Sequence, residues 1–160
     1  RVGGTLAKDF SGVVAKAEIV YTDGRKFGSA RADAPDGLVP LRTVDWIVGA
    51  DLTPADGWRV NTQLYQRVFV DYDASIGLKR NETGASLLVS HDFGRGIEAE
   101  MLAISSLARS DWMARPAVIW KTGSNTRIRV GADLFGGKSY GLFGRYGDRD
   151  RVYAEYRLSF

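Results

Sequence analysis

Hydrophobic and polar positions alternate with a period of two over most of the chain. From Thr43 to Leu52, the residues Val44, Trp46, Val48, Ala50 and Leu52 share one face, with Thr43, Asp45, Gly49 and Asp51 mostly polar opposite them. Trp58, Val60, Thr62, Leu64 and Val68 alternate in the same way with Arg59, Asn61, Gln63, Tyr65 and Arg67. A helix would scatter these residues around its circumference, whereas successive strand side chains point to opposite faces. Eight long strands are predicted, over 11–21, 43–52, 58–68, 85–92, 97–107, 112–121, 126–136 and 151–160. Each runs to about ten residues, beyond the usual five or six of a soluble strand.

Connections alternate in length. Short turns are predicted at Thr53-Pro54-Ala55-Asp56-Gly57, Phe93-Gly94-Arg95-Gly96 and Thr122-Gly123-Ser124-Asn125, all rich in turn formers. Longer polar loops are predicted at 22–42, 69–84 and 137–150, with 108–111 a short exception. Asp9-Phe10-Ser11-Gly12 resembles the later turn Asp92-Phe93-Gly94-Arg95. Residues 1–8 are therefore expected to end a preceding strand, in a chain that is the C-terminal part of a larger barrel. The 160 residues form a single β domain without a dividing linker.

Charge separates the two faces. The apolar set extends through Val13, Ala15, Ala17, Ile19 and Tyr21, then Ala85, Leu87 and Val89, then Ile97, Ala99, Met101, Ala103 and Leu107. It continues through Trp112, Ala114, Pro116, Val118 and Trp120, then Ile128, Val130, Ala132 and Leu134, and ends with Val152, Ala154, Tyr156, Leu158 and Phe160. About forty positions in this phase carry no Asp, Glu, Lys or Arg, where a random draw from a chain 26% charged would place about eleven. The opposite face holds Lys16, Arg59, Arg67, Arg115, Lys121, Arg127, Arg129, Arg151 and Arg157 against Glu18, Asp45, Asp51, Asp92, Glu98, Glu100, Asp133 and Glu155.

A soluble barrel or sandwich would bury the apolar face; a transmembrane barrel would turn it to lipid and line its interior with the charges. Three features favour the second. Ten-residue strands match the span of a tilted bilayer crossing. The aromatics of the apolar face gather at strand ends, Trp58, Trp120 and Phe160 on the short-turn side and Tyr21, Trp46 and Trp112 towards the loops, as in two interfacial girdles. The mid-strand residues are small or aliphatic, adequate for lipid but thin packing for a core. The fold class expected is an all-β, antiparallel, up-and-down transmembrane β-barrel.

Composition narrows the functions. With 44% hydrophobic and 11% aromatic residues the chain is not a disordered tail. It has no cysteine and a single histidine, His91, which excludes thiolate and multi-histidine metal centres, so no metal or cofactor is expected. The formal charge of +3 points to no nucleic-acid partner. His91 has Ser90 and Asp92 as neighbours, but adjacent strand residues face opposite ways, so it reads as an interfacial or turn histidine and no catalytic residue is expected. The glycines from Gly136 to Gly147 lack the strand–loop–helix order of a phosphate cradle. Arg145, Asp148, Arg149, Asp150 and Arg151 read either as a solvated loop or as a salt-bridged latch over a mouth. Pro116 has no ladder N–H to give and predicts a bulge or a gap in pairing.

The final strand, Val152-Tyr153-Ala154-Glu155-Tyr156-Arg157-Leu158-Ser159-Phe160, resembles the C-terminal signature of Gram-negative outer-membrane proteins, with Val152, Tyr156, Leu158 and Phe160 in register. That resemblance implies recognition by the barrel-assembly machinery, short turns in the periplasm and long loops outside the cell. Four stretches are similar to a proteobacterial family of large outer-membrane barrels of unknown function. They are Asp45-Trp46-Ile47-Val48-Gly49-Ala50-Asp51, Asn61-Thr62-Gln63-Leu64-Tyr65-Gln66-Arg67, Ser110-Asp111-Trp112-Met113-Ala114-Arg115-Pro116, and the segment Phe143 to Tyr153. Members are several times longer than this chain, and the resemblance implies a transport role with an unsettled substrate.

The expectation is a porin-like barrel in the outer membrane, surrounded by lipid, that passes small solutes or ions through a charge-lined pore. The residues expected to line it are Arg59, Arg67, Glu98, Glu100, Arg115, Arg127, Arg129, Asp133, Glu155 and Arg157. The flat, permanently charged guanidinium heads of the six arginines suit anions and carboxylates; alternatively they pair with Glu98, Glu100, Asp133 and Glu155 and fill a narrow interior. Other readings are a small closed barrel serving as an anchor or binding module, an outer-membrane lipid-modifying enzyme, and a soluble protein that stays in solution without detergent.

Overall fold

The computed structural model describes residues 1–159. Nine strands form one antiparallel sheet in which each pairs with its neighbours in sequence. They are β1 Val2–Asp9, β2 Val13–Gly28, β3 Leu38–Leu52, β4 Trp58–Phe69, β5 Asn81–Gly94, β6 Ile97–Ser106, β7 Asp111–Lys121, β8 Thr126–Gly137 and β9 Arg151–Leu158. Three single turns of 3₁₀ helix, at Pro35–Gly37, Ala74–Ile76 and Gly144–Tyr146, complete the structure. Strands β1 and β9 stand at the two edges, and among the described residues no ladder joins them. The eight predicted strands are all present, and residues 1–8 supply the ninth. Phe160, expected to close the last strand, lies outside the described residues.

Register keeps the two faces apart across the whole sheet. Ala17 stands opposite Val48, Val48 opposite Leu64 and Leu64 opposite Ala85. Further along, Ala99 faces Val118, Val118 faces Val130 and Val130 faces Ala154. Directly opposed residues share a face, so one side of the sheet is continuously apolar.

That apolar side is the exposed one. Val48 is 45% and Val118 52% accessible, with Ile19, Leu87, Met101 and Val130 comparably open. On the charged side, Asp133 is 1% and Glu98 5% accessible. Globular proteins do the reverse, sequestering Val and Leu and leaving Asp and Glu outside. The sheet curls to achieve this. Glu18 of β2 and Arg109 beyond β6 line one cavity of about 450 Å³, whereas strands four apart in a flat sheet stand about 19 Å from one another.

Two predicted loops are shorter than expected, since β2 runs to Gly28, β3 starts at Leu38 and β5 starts at Asn81. Much of 22–42 is therefore a projecting hairpin. A one-residue register shift lies between Thr22 and Arg25, at Gly24 with φ +67°. Such a bulge inverts the alternation, so the period-two signal breaks where the strand continues. Beyond it, Val39, Leu41 and Phe69 form a small buried cluster with Phe27, Ala34, Ile76 and Leu78. This conventional core ties the hairpin to the β4–β5 loop rather than lying between layers. Ser29 Oγ meets Ser75 Oγ at 2.7 Å, and the Ala30 N–H donates to Ser75 O at 2.9 Å across the same junction.

Pro116 produces a gap and no bulge. Its β6 side is paired with Met101, while towards β8 the ladder skips Arg115 and Pro116 and resumes in unchanged register at Ala117 opposite Gly131.

Candidate functional site

The charged face is organised by ion pairs, most of them between strands. Arg67 grips Asp45 through two nitrogens, at 2.6 and 3.2 Å, and Arg25 reaches the same carboxylate at 3.3 Å. Asp133 is shared by Arg115 at 2.6 Å and Arg151 at 2.5 Å, one strand to either side. Glu98 takes Arg59 and, at 3.5 Å, Lys121. Arg129 meets Glu100 at 2.7 Å and Arg157 meets Glu155 at 3.2 Å. Lys16 and Asn61 both bond Asp51. Antiparallel register places Arg67 opposite Asp45 and sets Asp133 opposite both Arg115 and Arg151, whereas Arg59 and Arg129 each reach over an intervening strand to Glu98 and Glu100 of β6.

All ten residues singled out from the sequence share this face, and the pairing alternative describes nine of them. Arg127 is the exception. Among the described residues it has no carboxylate partner, and its Nε is buried without a hydrogen bond. The paired heads still present charge to open space: Arg59 and Arg115 are more than a third exposed although their partners Glu98 and Asp133 are buried, and Arg157 and its partner Glu155 are both exposed.

Tyrosines lie over glycines on the same face. Tyr65 stands opposite Gly84, and a Cβ there would meet its ring at 2.5 Å. Tyr153 covers Gly131 in the same way, where a Cβ would fall 2.7 Å from the hydroxyl and 2.8 Å from the Pro116 carbonyl. A ring seated on a strand glycine shields backbone that the missing side chain would leave bare.

The β8–β9 connection, 138–150, folds over the charged side. Its Leu142 lines the cavity together with Glu18, Ile47, Tyr65, Arg67, Glu82 and Arg109, contributed by elements up to six strands away. Asp111, at the start of β7 and 1% accessible, holds it: its Oδ2 accepts the Phe143 N–H at 2.5 Å and the Gly144 N–H at 3.2 Å. A Cβ on Gly141 would clash with the Asp111 carboxylate, so the chain passes close only because that residue is glycine. Asp150 accepts the Phe135 N–H at 2.8 Å and fixes the far end of the loop. Of the latch candidates, Arg149 and Asp148 are 3.9 Å apart and exposed, and Arg151 is committed to Asp133. The latch is Asp111, which sequence reasoning passed over inside Ser110-Asp111-Trp112. An acid directly preceding Trp112 was the one available signal.

Outside the strands, the 29–37 and 70–80 loops carry their own ion pairs. Arg31 bridges Asp33 at 2.6 Å and Asp73 at 3.2 Å. Bonds from Ser75 and then Arg31 hold the Asp73 carboxyl below its ordinary value. Arg31 does the same to Asp33, and the guanidinium is itself held more firmly protonated.

His91 falls on the apolar face, opposite Trp58 and Ala99, with its ring centroid 4.4 Å from Trp58 and 4.5 Å from Phe93. Ser90 and Asp92 alternate to the other face, so no nucleophile–base pair forms there. Neither a protein-family model, nor a curated protein, nor a solved structure matches the chain.

Proposed function

We propose that the nine strands are part of a transmembrane β-barrel in the outer membrane of a Gram-negative bacterium, giving small solutes or ions passive passage through a charge-lined pore. One observation carries this reading: the apolar face of the sheet is exposed while carboxylates on its charged face, Glu98 and Asp133, are buried. Lipid accepts such a surface, and water does not. The aromatics at its strand ends, Trp58, Trp112 and Trp120 among them, suit the two interfaces.

Hydrocarbon also dictates what must surround the sheet. An edge strand in lipid leaves backbone N–H and C=O groups without water, at several kcal/mol each. The edges of β1 and β9 therefore call for further strands, from the rest of the protein or from other copies, and a barrel wider than nine strands has room for a water-filled lumen. The similarity to large outer-membrane barrels supports the same width. The C-terminal strand, with Val152, Tyr156, Leu158 and Phe160, is the proposed signal for the assembly machinery.

The test is conductance of the native full-length protein, extracted in detergent and reconstituted in planar bilayers. Discrete channels are expected, with ion selectivity shifted towards cations by Arg127→Glu and Arg129→Glu. A protein that inserts and never conducts would leave the second reading, a closed barrel whose paired interior makes it an anchor or binding module.

A further inference from the structure

Three cations stand shoulder to shoulder at the short-turn end of the charged face. Lys121 is directly opposite Arg127, and Arg127 directly opposite Arg157. Like charges in opposed positions of a ladder destabilise it, so this rung costs the sheet stability unless something of opposite sign answers it. Two of the three are answered from the next rung, Lys121 by Glu98 and Arg157 by Glu155. Arg127, between them, is answered by no carboxylate among the described residues, and its Nε is buried and unbonded.

The neighbouring charges do not cancel it. Glu98 is already shared with Arg59 and Glu100 is taken by Arg129. Asp92, opposite Glu98, turns its carboxylate to the Gly94 N–H at 2.8 Å. At this end of the face, among the described residues, strands β7 to β9 contribute Lys121, Arg127, Arg129 and Arg157 against the single carboxylate of Glu155. Elsewhere on the face Arg67 is matched by Asp45, and Arg115 and Arg151 by Asp133.

We infer that Lys121, Arg127 and Arg157 form a binding site for an oxyanion, the carboxylate or phosphate group of a water-soluble solute. Arg127 makes the primary contact and its two neighbours supply field. A planar guanidinium offers an oxyanion paired N–H donors, which a compact halide cannot use in the same way. The inference rests on the pore reading in one respect: the charged face must be in contact with water. Within that reading it names the solute class, anionic and oxygen-rich, and puts the first contact at the mouth on the short-turn side.

The probe is inorganic phosphate, added at low ionic strength to the native full-length protein in a non-ionic detergent. Broadening of the ³¹P resonance reports binding directly, without a current. Broadening by the wild type, lost at least tenfold in R127Q and reduced to an intermediate degree in R127K, which keeps the charge without the paired donors, is the expected result. Equal broadening by R127Q, or none by the wild type, overturns the site. Phosphate titrated into bilayers then separates the two readings. Binding together with block of current from the short-turn side supports both. Binding without any channel would remove the pore and leave the site standing. Channels that phosphate neither blocks nor binds would remove the site and leave the pore.

Discussion

Asp111 allows the inward fold of the 138–150 loop to be tested quantitatively. Its carboxylate is almost fully buried and accepts two backbone N–H groups, from Phe143 and Gly144. Hydrogen bonds to a charged acceptor contribute about 1.5–3 kcal/mol each, and a buried donor left unmatched costs about 1–3 kcal/mol. In Asp111→Ala both donors lose their acceptor, so the folded-in loop is weakened by about 2–6 kcal/mol. In Asp111→Asn one oxygen remains as a neutral acceptor, and the loss falls to about 1–3 kcal/mol. The sheet itself does not depend on this carboxylate, since the ladder from β6 to β7 and on to β8 is closed by backbone bonds. The assay is amide hydrogen exchange of the detergent-solubilised native protein, read by segment. A weakening of 2 kcal/mol multiplies local opening about thirtyfold. Exchange in 138–150 is expected to accelerate by at least that factor in Asp111→Ala, and by an intermediate factor in Asp111→Asn, with β5 to β7 unchanged. Loop exchange within threefold of wild type would refute the latch. Uniform acceleration across the sheet would show that Asp111 supports the ladder instead.

Three further outcomes follow from the same coordinates. Gly131→Ala drives a methyl against both the Tyr153 hydroxyl and the Pro116 carbonyl, which is backbone and yields little; a loss of about 1–3 kcal/mol is expected, read as a lower unfolding temperature by heat-modifiability on gels. Val118→Lys, at the middle of the exposed apolar face, is expected to cost about 2–4 kcal/mol in a bilayer and to reduce the folded fraction recovered from outer membranes; an unchanged yield would mean that this face meets water. The contact between the 29–37 and 70–80 loops should respond to acid. Asp73 and Asp33 are held below their ordinary values by Ser75 and Arg31, so their stabilisation is complete above the ordinary carboxylate range and is lost as pH falls through the depressed values. Proteolysis at Arg31 is expected to be slow at pH 7 and to accelerate below about pH 4, and a rate that follows only the protease's own pH dependence would count against it.

The two faces were legible because both depend on one local variable, the parity of position along a strand. Val48, Leu64 and Ala85 fall in phase whatever the register, and cross-strand pairing only had to preserve it. Where parity itself changes, the signal is lost. At Gly24 the bulge moves the odd-numbered Phe27 onto the face that even-numbered Lys16 and Glu18 occupy, opposite Val39. Asp23, Gly24, Gly28 and Pro35 then resemble loop, although much of the segment is hairpin. The partners of the charged-face arginines needed register as well as phase. That Asp133 serves two arginines, and that Arg127 has no carboxylate partner among the described residues, depends on which strand residues stand side by side. Asp111 was out of reach for a different reason. Its partners are main-chain N–H groups of a distant loop, and every residue type other than proline carries that donor.

Each ladder in the sheet joins strands adjacent in the chain, and every connection is a hairpin. Such an architecture is modular in units of two strands. No layer of interdigitated side chains spans the sheet, so a hairpin gained or lost leaves the pairing of the others intact. It also keeps the outward and inward phases, because each hairpin enters and leaves on the same side. The likeness between the turns at Asp9 and at Asp92 is what copying of such a unit would leave behind. In lineages that carry this sheet, strand number is then a heritable variable independent of the rung chemistry. A descendant can widen its sheet by duplication while Arg127 and its neighbours keep the same local company.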